Sequence, residues 1–366
     1  MKDRRHDSRP RLRPLRYAVF ALAALVVLSL GFALIPADKP APSPPSFSER
    51  ARSAAFSDAL DLRAAGQGLA VNGAVDSTTV DGVVTLLTIQ AKALQSPAPA
   101  PAAQGSASPS PAPTRPARGA AELVQALAAS GVARVKDAEA ADGGMARLLA
   151  GTGIAQLLAA GRLAAAAGVP APQGTAAGPD GDVSGADSSA SPCVAPSAVA
   201  AAPEATEPGA PADIRQALAA VTAAEQQAVY AYQAALPRLV PAEAGPASDF
   251  LGQHKGLTAS AEARLRVACG ASVPQQPGYI LDGGFLAAPA AGLGRIEAST
   301  LAPYGDVVAL SQGQDRAWAL SALQSAAARA ARWGVDPGPV PGLNLDVGQL
   351  PALRAGGAVT ASPAAS

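Results

Sequence analysis

The sequence predicts an all-α protein with a helical bundle in its C-terminal third, a second helical region before it and one transmembrane helix at the N-terminus. Three observations support this prediction. Apolar residues recur at three- and four-residue steps in several segments, which is the period of an amphipathic helix. Pro-, Ala- and Ser-rich stretches separate those segments and contain too few large apolar side chains to fold. An uncharged apolar run follows a basic leader.

The N-terminal segment has the charge pattern of a membrane anchor. Residues 1–16 form a leader with seven basic side chains, and the run 17–35 is long enough to cross the roughly 30 Å hydrocarbon core as a helix. We therefore expect a single-pass cell-membrane protein whose leader stays in the cytoplasm and whose remaining residues lie outside it. The alternative is a cleaved signal peptide, but Ile35-Pro36-Ala37 is a poor cleavage site.

A Pro-rich stalk, 36–46, is followed by an Ala-rich helical region over residues 47–169 that contains a disordered insert, 96–118. The apolar period is clearest in two segments of this region. Their apolar-face positions are Val80, Val83, Val84, Leu87, Ala91 and Leu94, and then Met145, Leu148, Leu149, Thr152, Ala155, Ala159 and Leu163. A disordered linker, 170–211, is expected to join this region to the bundle.

The apolar pattern of residues 212–335 predicts a bundle of four helices. A Gly/Pro/Ala-rich tail, 336–366, follows it. The helices are expected at Asp213–Leu239, from Ser248 to just before Gly270, from Leu293 onward, and at about Gln314–Trp333. Pro303 should kink the third helix or split it in two, because proline lacks the backbone N–H.

Ionisable residues interrupt the apolar stripes of these helices. Glu225, His254 and Glu297 lie on the inner faces of the first three helices, and Arg316 lies on that of the fourth. An unpaired buried carboxylate costs several kcal/mol, so two inward glutamates require a cation or a raised pKa. We expect Arg316 to bridge the two carboxylates, with His254 as a hydrogen-bonded core histidine. The alternatives are a mononuclear metal site of Glu225, His254 and Glu297, or residues on exposed flanks.

A complete di-iron carboxylate site cannot be assembled from these residues. Such a site needs one Glu from each of two helices and Glu-x-x-His from each of the other two. Leu251 stands three residues before His254, and the other histidine of the chain is His6 in the leader. The sequence also lacks a phosphate-binding Gly loop, a CxxC motif, a Ser-His-Asp set and a zinc signature. We therefore predict no catalytic residues and no cofactor, and we favour a protein that is not an enzyme.

The run Ala223–Tyr232, the single His254, Glu297 and the helix Arg316–Trp333 together resemble a ferritin-like domain family of unknown function, found in envelope proteins of high-GC bacteria. The resemblance covers about residues 213–334. It implies a ferritin-like four-helix bundle in a membrane-anchored or exported protein. The stretch 145–150 resembles the region that often precedes this domain. Family members often carry a His after the first Glu, whereas this chain has Gln226, which argues against a metal site.

Cys193 and Cys269 are the two cysteines of the chain and form a candidate disulfide. Thiols outside the cytoplasm tend to pair, and in an antiparallel bundle the end of the second helix returns to the start of the first. Two free thiols are the alternative.

Two function classes remain open. The first is a non-catalytic binding or scaffolding protein of the cell envelope, whose partners are the membrane, through the N-terminal helix, and an unidentified envelope protein. The second is a ferritin-like metalloprotein with oxidoreductase or metal-handling activity. The net charge of +0 gives no indication of nucleic-acid binding.

Overall fold

The computed structural model describes residues 19–25, 44–72, 76–96, 119–172 and 213–354. All regular structure in these ranges is helical, which confirms the prediction of an all-α protein. Residues 19–25 of the predicted anchor are helical, and the rest of the anchor and most of the low-complexity stretches lie outside the described residues. Among the described helices, Gly143–Ala167 is long and apolar enough to cross a membrane, but it is mid-chain and 72% buried inside the protein.

The helices named below belong to the compact unit Ser46–Ser366. In chain order they are α1 (Phe47–Asn72), α2 (Ser77–Leu94), α3 (Ala120–Ala140), α4 (Gly143–Ala167), α5 (Ile214–Ala235), α6 (Pro241–Val267), the short α7 (Gly283–Ala287), α8 (Pro289–Leu310) and α9 (Gly313–Arg332). Short 3-10 turns occupy Leu236–Arg238 and Val347–Gln349.

Local side chains determine where several helices begin and end. The carboxylates of Asp76, Asp213 and Asp282 accept hydrogen bonds from backbone N–H groups at the starts of α2, α5 and α7. These N–H groups have no partner inside the helix. Helix α4 ends at Gly168, whose φ of 64° lies in the left-handed region that glycine adopts without a Cβ penalty.

Two proline positions bear on the sequence prediction. Helix α6 begins at Pro241 and continues through Pro246, so the expected start at Ser248 is wrong. Helix α8 runs as one element through Pro303, so the split, one of the two expected effects of this proline, is wrong. Each internal proline removes one helical hydrogen bond. Apolar packing on both sides of Pro303, including the buried Leu301 and Tyr304, keeps the helix continuous.

The two helical regions share one hydrophobic core. It contains Ala55 of α1, Ile154 of α4, Val308 of α8 and Leu320 of α9, together with their neighbours. Within the second region, α5 packs against α6 and α8, and α8 packs against α9. This bundle-like packing places the inner faces of α5, α6, α8 and α9 around one buried polar centre.

The described part of the predicted tail, residues 336–354, packs against the first helical region. Val340 is 2% exposed. Gln95, at the end of α2, accepts the backbone N–H of Arg354 at 3.0 Å and donates to the carbonyl of Ala352 at 3.2 Å. Part of the segment that the sequence predicts as a Gly/Pro/Ala-rich tail therefore contributes to the folded unit.

Candidate functional site

Four helices each contribute one ionisable side chain to a buried polar centre. Glu225 extends from α5, His254 from α6, Glu297 from α8 and Arg329 from α9. The first three side chains are fully buried, and Arg329 is 3% exposed. The structure thus brings together the three residues that interrupt the apolar stripes of the sequence, and it adds an arginine that sequence reasoning missed.

His254 lies between the two carboxylates. Its Nδ1 atom is 2.7 Å from Oε2 of Glu225, and its Nε2 atom is 2.9 Å from Oε1 of Glu297. Ionised carboxylates only accept hydrogen bonds, so with both glutamates ionised the two ring nitrogens donate and the ring is an imidazolium. Burial by itself lowers the pKa of His254, but the charge of Glu297 and the hydrogen bonds to both carboxylates outweigh burial and raise it.

Arg329 supplies the second positive charge. Its Nε atom is 2.9 Å from both carboxylate oxygens of Glu297. Burial raises the pKa of Glu297, but the charges of Arg329 and then His254 outweigh burial and lower it. Two carboxylates, one imidazolium and one guanidinium have no net charge. The centre can therefore be buried without an uncompensated ion.

Two buried tyrosines complete the hydrogen bonds of the carboxylates. The hydroxyl of Tyr232 donates to Oε1 of Glu297 at 2.6 Å, and that of Tyr304 donates to Oε1 of Glu225 at 2.8 Å. Trp333 in turn donates its indole N–H to the hydroxyl of Tyr232 at 2.7 Å. Burial, followed by the charge of the neighbouring carboxylate, raises the pKa of both tyrosines, so their hydroxyls stay protonated.

Arg316 does not reach this centre, and its expected role is corrected. Its Nη1 atom donates to the carbonyl oxygens of Ala138 and Glu139, at 3.3 and 3.2 Å, and also to that of Ala141. These carbonyls lie at the C-terminal end of α3. Arg316 therefore caps a helix of the first region, while Arg329 of the same α9 pairs with Glu297.

Helix α9 has two buried faces, which explains why the sequence pattern indicates Arg316 instead of Arg329. The predicted face, with Arg316 and Leu320, is indeed buried. A second stripe on α9, made of mostly small residues at three- and four-residue steps, is also buried. Its members are Ala319, Ala322, Ala326, Arg329 and Trp333. This second stripe was the signal in the sequence that could have identified Arg329.

The side chains of this centre contact one another directly. Among the described residues, no group of three or more His, Cys, Asp or Glu side chains could hold a metal ion. The physical reason is that Glu225 and Glu297 occupy opposite nitrogens of one ring. The three side chains therefore face one another instead of converging on a common point, and a doubly protonated ring has no lone pair for a metal.

Cys269 lies just beyond the C-terminal end of α6, outside the polar centre. It has a φ of 59°, and it is disulfide-bonded. Cys193, the other member of the predicted pair, lies outside the described residues.

Residues 217–345 match the model of a family described as "Domain of unknown function (DUF4439)". The matched range contains all four ionisable residues of the centre and both tyrosines. The comparison with curated proteins and the comparison with solved structures gave no match. The matched family itself is thus described without an assigned activity.

Proposed function

We propose that this protein is a membrane-anchored, extracytoplasmic scaffold of the cell envelope, and that its matched domain is a ferritin-like bundle with a structural, metal-free polar centre. One observation carries the non-catalytic part of the proposal. All four carboxylate oxygens of Glu225 and Glu297 already accept hydrogen bonds from side chains inside the centre.

A centre whose carboxylate oxygens all accept hydrogen bonds from its own side chains is poorly suited to substrate or metal chemistry. Glu225, His254 and Glu297 have no exposed surface, so a substrate would have to open the bundle to reach them. A metal ion would have to displace His254 or a tyrosine from a carboxylate. It would also add positive charge beside Arg329, which is already paired with Glu297.

The proposed location rests on other observations. Seven basic residues precede an uncharged apolar run at 17–35, a pattern typical of an anchor with its leader in the cytoplasm. The disulfide at Cys269 supports a position outside the cytoplasm, where disulfides persist. Protease added to intact protoplasts should digest the C-terminal region, and a fully protected C-terminal region would contradict this topology.

The deciding experiment for the centre is metal analysis of the full chain. The protein is produced with iron and manganese in the medium, purified in detergent, and its metal content and thermal unfolding are measured with and without chelator. We expect far less than one metal ion per chain and an unchanged unfolding midpoint. Stoichiometric iron or manganese, with a midpoint lowered by chelator, would establish the metalloprotein alternative.

A further inference from the structure

We infer that the face formed by α8, α9 and residues 340–342, which is turned toward the first helical region, is a protein-binding surface, and that residues 119–172 of the same chain are its occupant. The domain match begins at residue 217, which leaves α1 to α4 outside it. The contacts across this surface indicate that the matched domain is not a self-contained folding unit. The inference is independent of the proposed function.

The surface has an apolar centre to which both regions contribute. Leu149 and Ile154 of α4 belong to the same buried cluster as Tyr304 and Val308 of α8 and Leu323 of α9. All five side chains are fully buried. Without α4, the apolar surface that α8 and α9 bury against it would face water, at a cost of about 25 cal/mol for each Å².

The backbones approach too closely for side chains at two glycines of α4. A Cβ atom at Gly143 would lie 2.8 Å from the carbonyl oxygen of Ala309 in α8. A Cβ atom at Gly151 would lie 2.5 Å from both Val340 Cγ1 and the Pro341 carbonyl oxygen. Contacts this close require matched shapes on the two sides, which is a property of a specific interface.

Polar contacts cross the same surface. Arg147 of α4 pairs with Asp306 of α8 at 2.6 Å, and its Nε atom donates to the carbonyl of Gly342. Arg316 of α9 binds the carbonyl oxygens at the C-terminal end of α3. A cation there satisfies carbonyls that lack helical partners and complements the helix dipole. Arg316, which is 3% exposed, thus completes a helix of the other region.

The experiment tests whether the two regions stay together without a covalent link. A site for a sequence-specific protease is placed between residues 173 and 192 of the full chain. Cleavage there leaves Cys193 and Cys269 on one fragment, so a disulfide between them cannot hold the halves together. We expect the cut fragments to co-elute in size-exclusion chromatography in detergent and to unfold in a single transition. Separate elution, with the C-terminal fragment keeping its own cooperative transition, would overturn the inference.

Variants then test whether the named contacts mediate the association. Each variant is cut only after circular dichroism shows that the uncut chain is folded. Arg316→Met and Gly151→Ala should each weaken fragment association at least about tenfold, which corresponds to about 1.4 kcal/mol. Arg316→Lys keeps a charge near the α3 terminus and serves as a milder variant if Arg316→Met does not fold, with an expected effect in the same direction.

Matched controls lie on the same helices. Arg332 is exposed at the end of α9, and a Cβ atom at Gly161 of α4 would meet nothing within 4 Å. Arg332→Met and Gly161→Ala should therefore leave the association unchanged. The inference fails if the interface variants dissociate no more readily than these controls.

Discussion

The hydroxyl of Tyr304 in α8 lies 2.8 Å from a carboxylate oxygen of Glu225 in α5. The reciprocal bond, from Tyr232 of α5 to Glu297 of α8, measures 2.6 Å. In each helix the tyrosine follows the glutamate by seven residues, 225 to 232 and 297 to 304, which places both on one face two turns apart. The two helices are therefore joined by a pair of equivalent hydrogen bonds, with His254 between the two carboxylates.

The first prediction concerns Arg329. Arg329→Met should lower the free energy of unfolding by about 3 to 5 kcal/mol, because it leaves Glu297 buried without its strongest partner. The measurement is urea denaturation at neutral pH, with Arg332→Met as the exposed control, expected to change stability by less than about 0.5 kcal/mol. Equal stability of the two variants would show that the Arg329 to Glu297 pair is not a structural element of the bundle.

The second prediction concerns the tyrosine hydroxyls. Tyr232→Phe and Tyr304→Phe should each lower the free energy of unfolding by about 1.5 to 3 kcal/mol, since each removes a hydrogen bond to a charged, buried carboxylate. Tyr230→Phe is the matched control, because the ring of Tyr230 is only partly buried and contacts the ring of Tyr279 at a tilted angle. Chemical denaturation of the three variants provides the comparison. If Tyr230→Phe lowered stability as much as the other two variants, the stabilising role of the Tyr232 and Tyr304 hydroxyls would be contradicted.

The third prediction is a loss of stability at raised pH that depends on His254. Its pKa in the folded protein is raised above the ordinary value of 6.5. Between 6.5 and the folded-state pKa, the native protein holds a proton that the unfolded chain has lost. The contribution of His254 is therefore complete below pH 6.5 and disappears as pH rises through the folded-state pKa.

Glu297 acts in the opposite direction. Its pKa is lowered from 4.5, so its contribution to stability is present above that pH and is lost as pH falls through the folded-state pKa.

The His254 prediction is tested by measuring unfolding free energies between pH 4 and pH 9 for the unmodified protein and for His254→Gln. The variant should lack the His254 component of the decline above pH 6.5, and an identical slope in both proteins would refute the imidazolium assignment.

The fourth prediction is that Cys193 and Cys269 pair with each other. Thiol titration of the unfolded, unreduced protein should find no free thiol, and two thiols per chain would disprove the bond. Closing a loop of this length stabilises a fold by about 4 kcal/mol in the chain-entropy model. The double variant Cys193→Ser, Cys269→Ser should therefore unfold at lower urea concentration than the unmodified protein.

The sequence by itself determined that the folded regions are helical, and it identified three members of the polar centre. Helical periodicity is a local property, so the apolar steps in α2, α4 and α5 correctly mark helices, and capping residues such as Asp213 mark their starts. Glu225, His254 and Glu297 could be recognised because each interrupts one apolar stripe.

Only the tertiary structure decided which cation meets these carboxylates. Periodicity shows that a residue faces inward, but not which neighbour it faces when a helix is covered on two sides. Helix α9 is such a helix: Arg316 points to the end of α3, while Arg329 points into the centre. The continuity of α8 through Pro303 and the burial of Val340 were settled in the same way, because contacts between residues distant in sequence outweigh local propensity there.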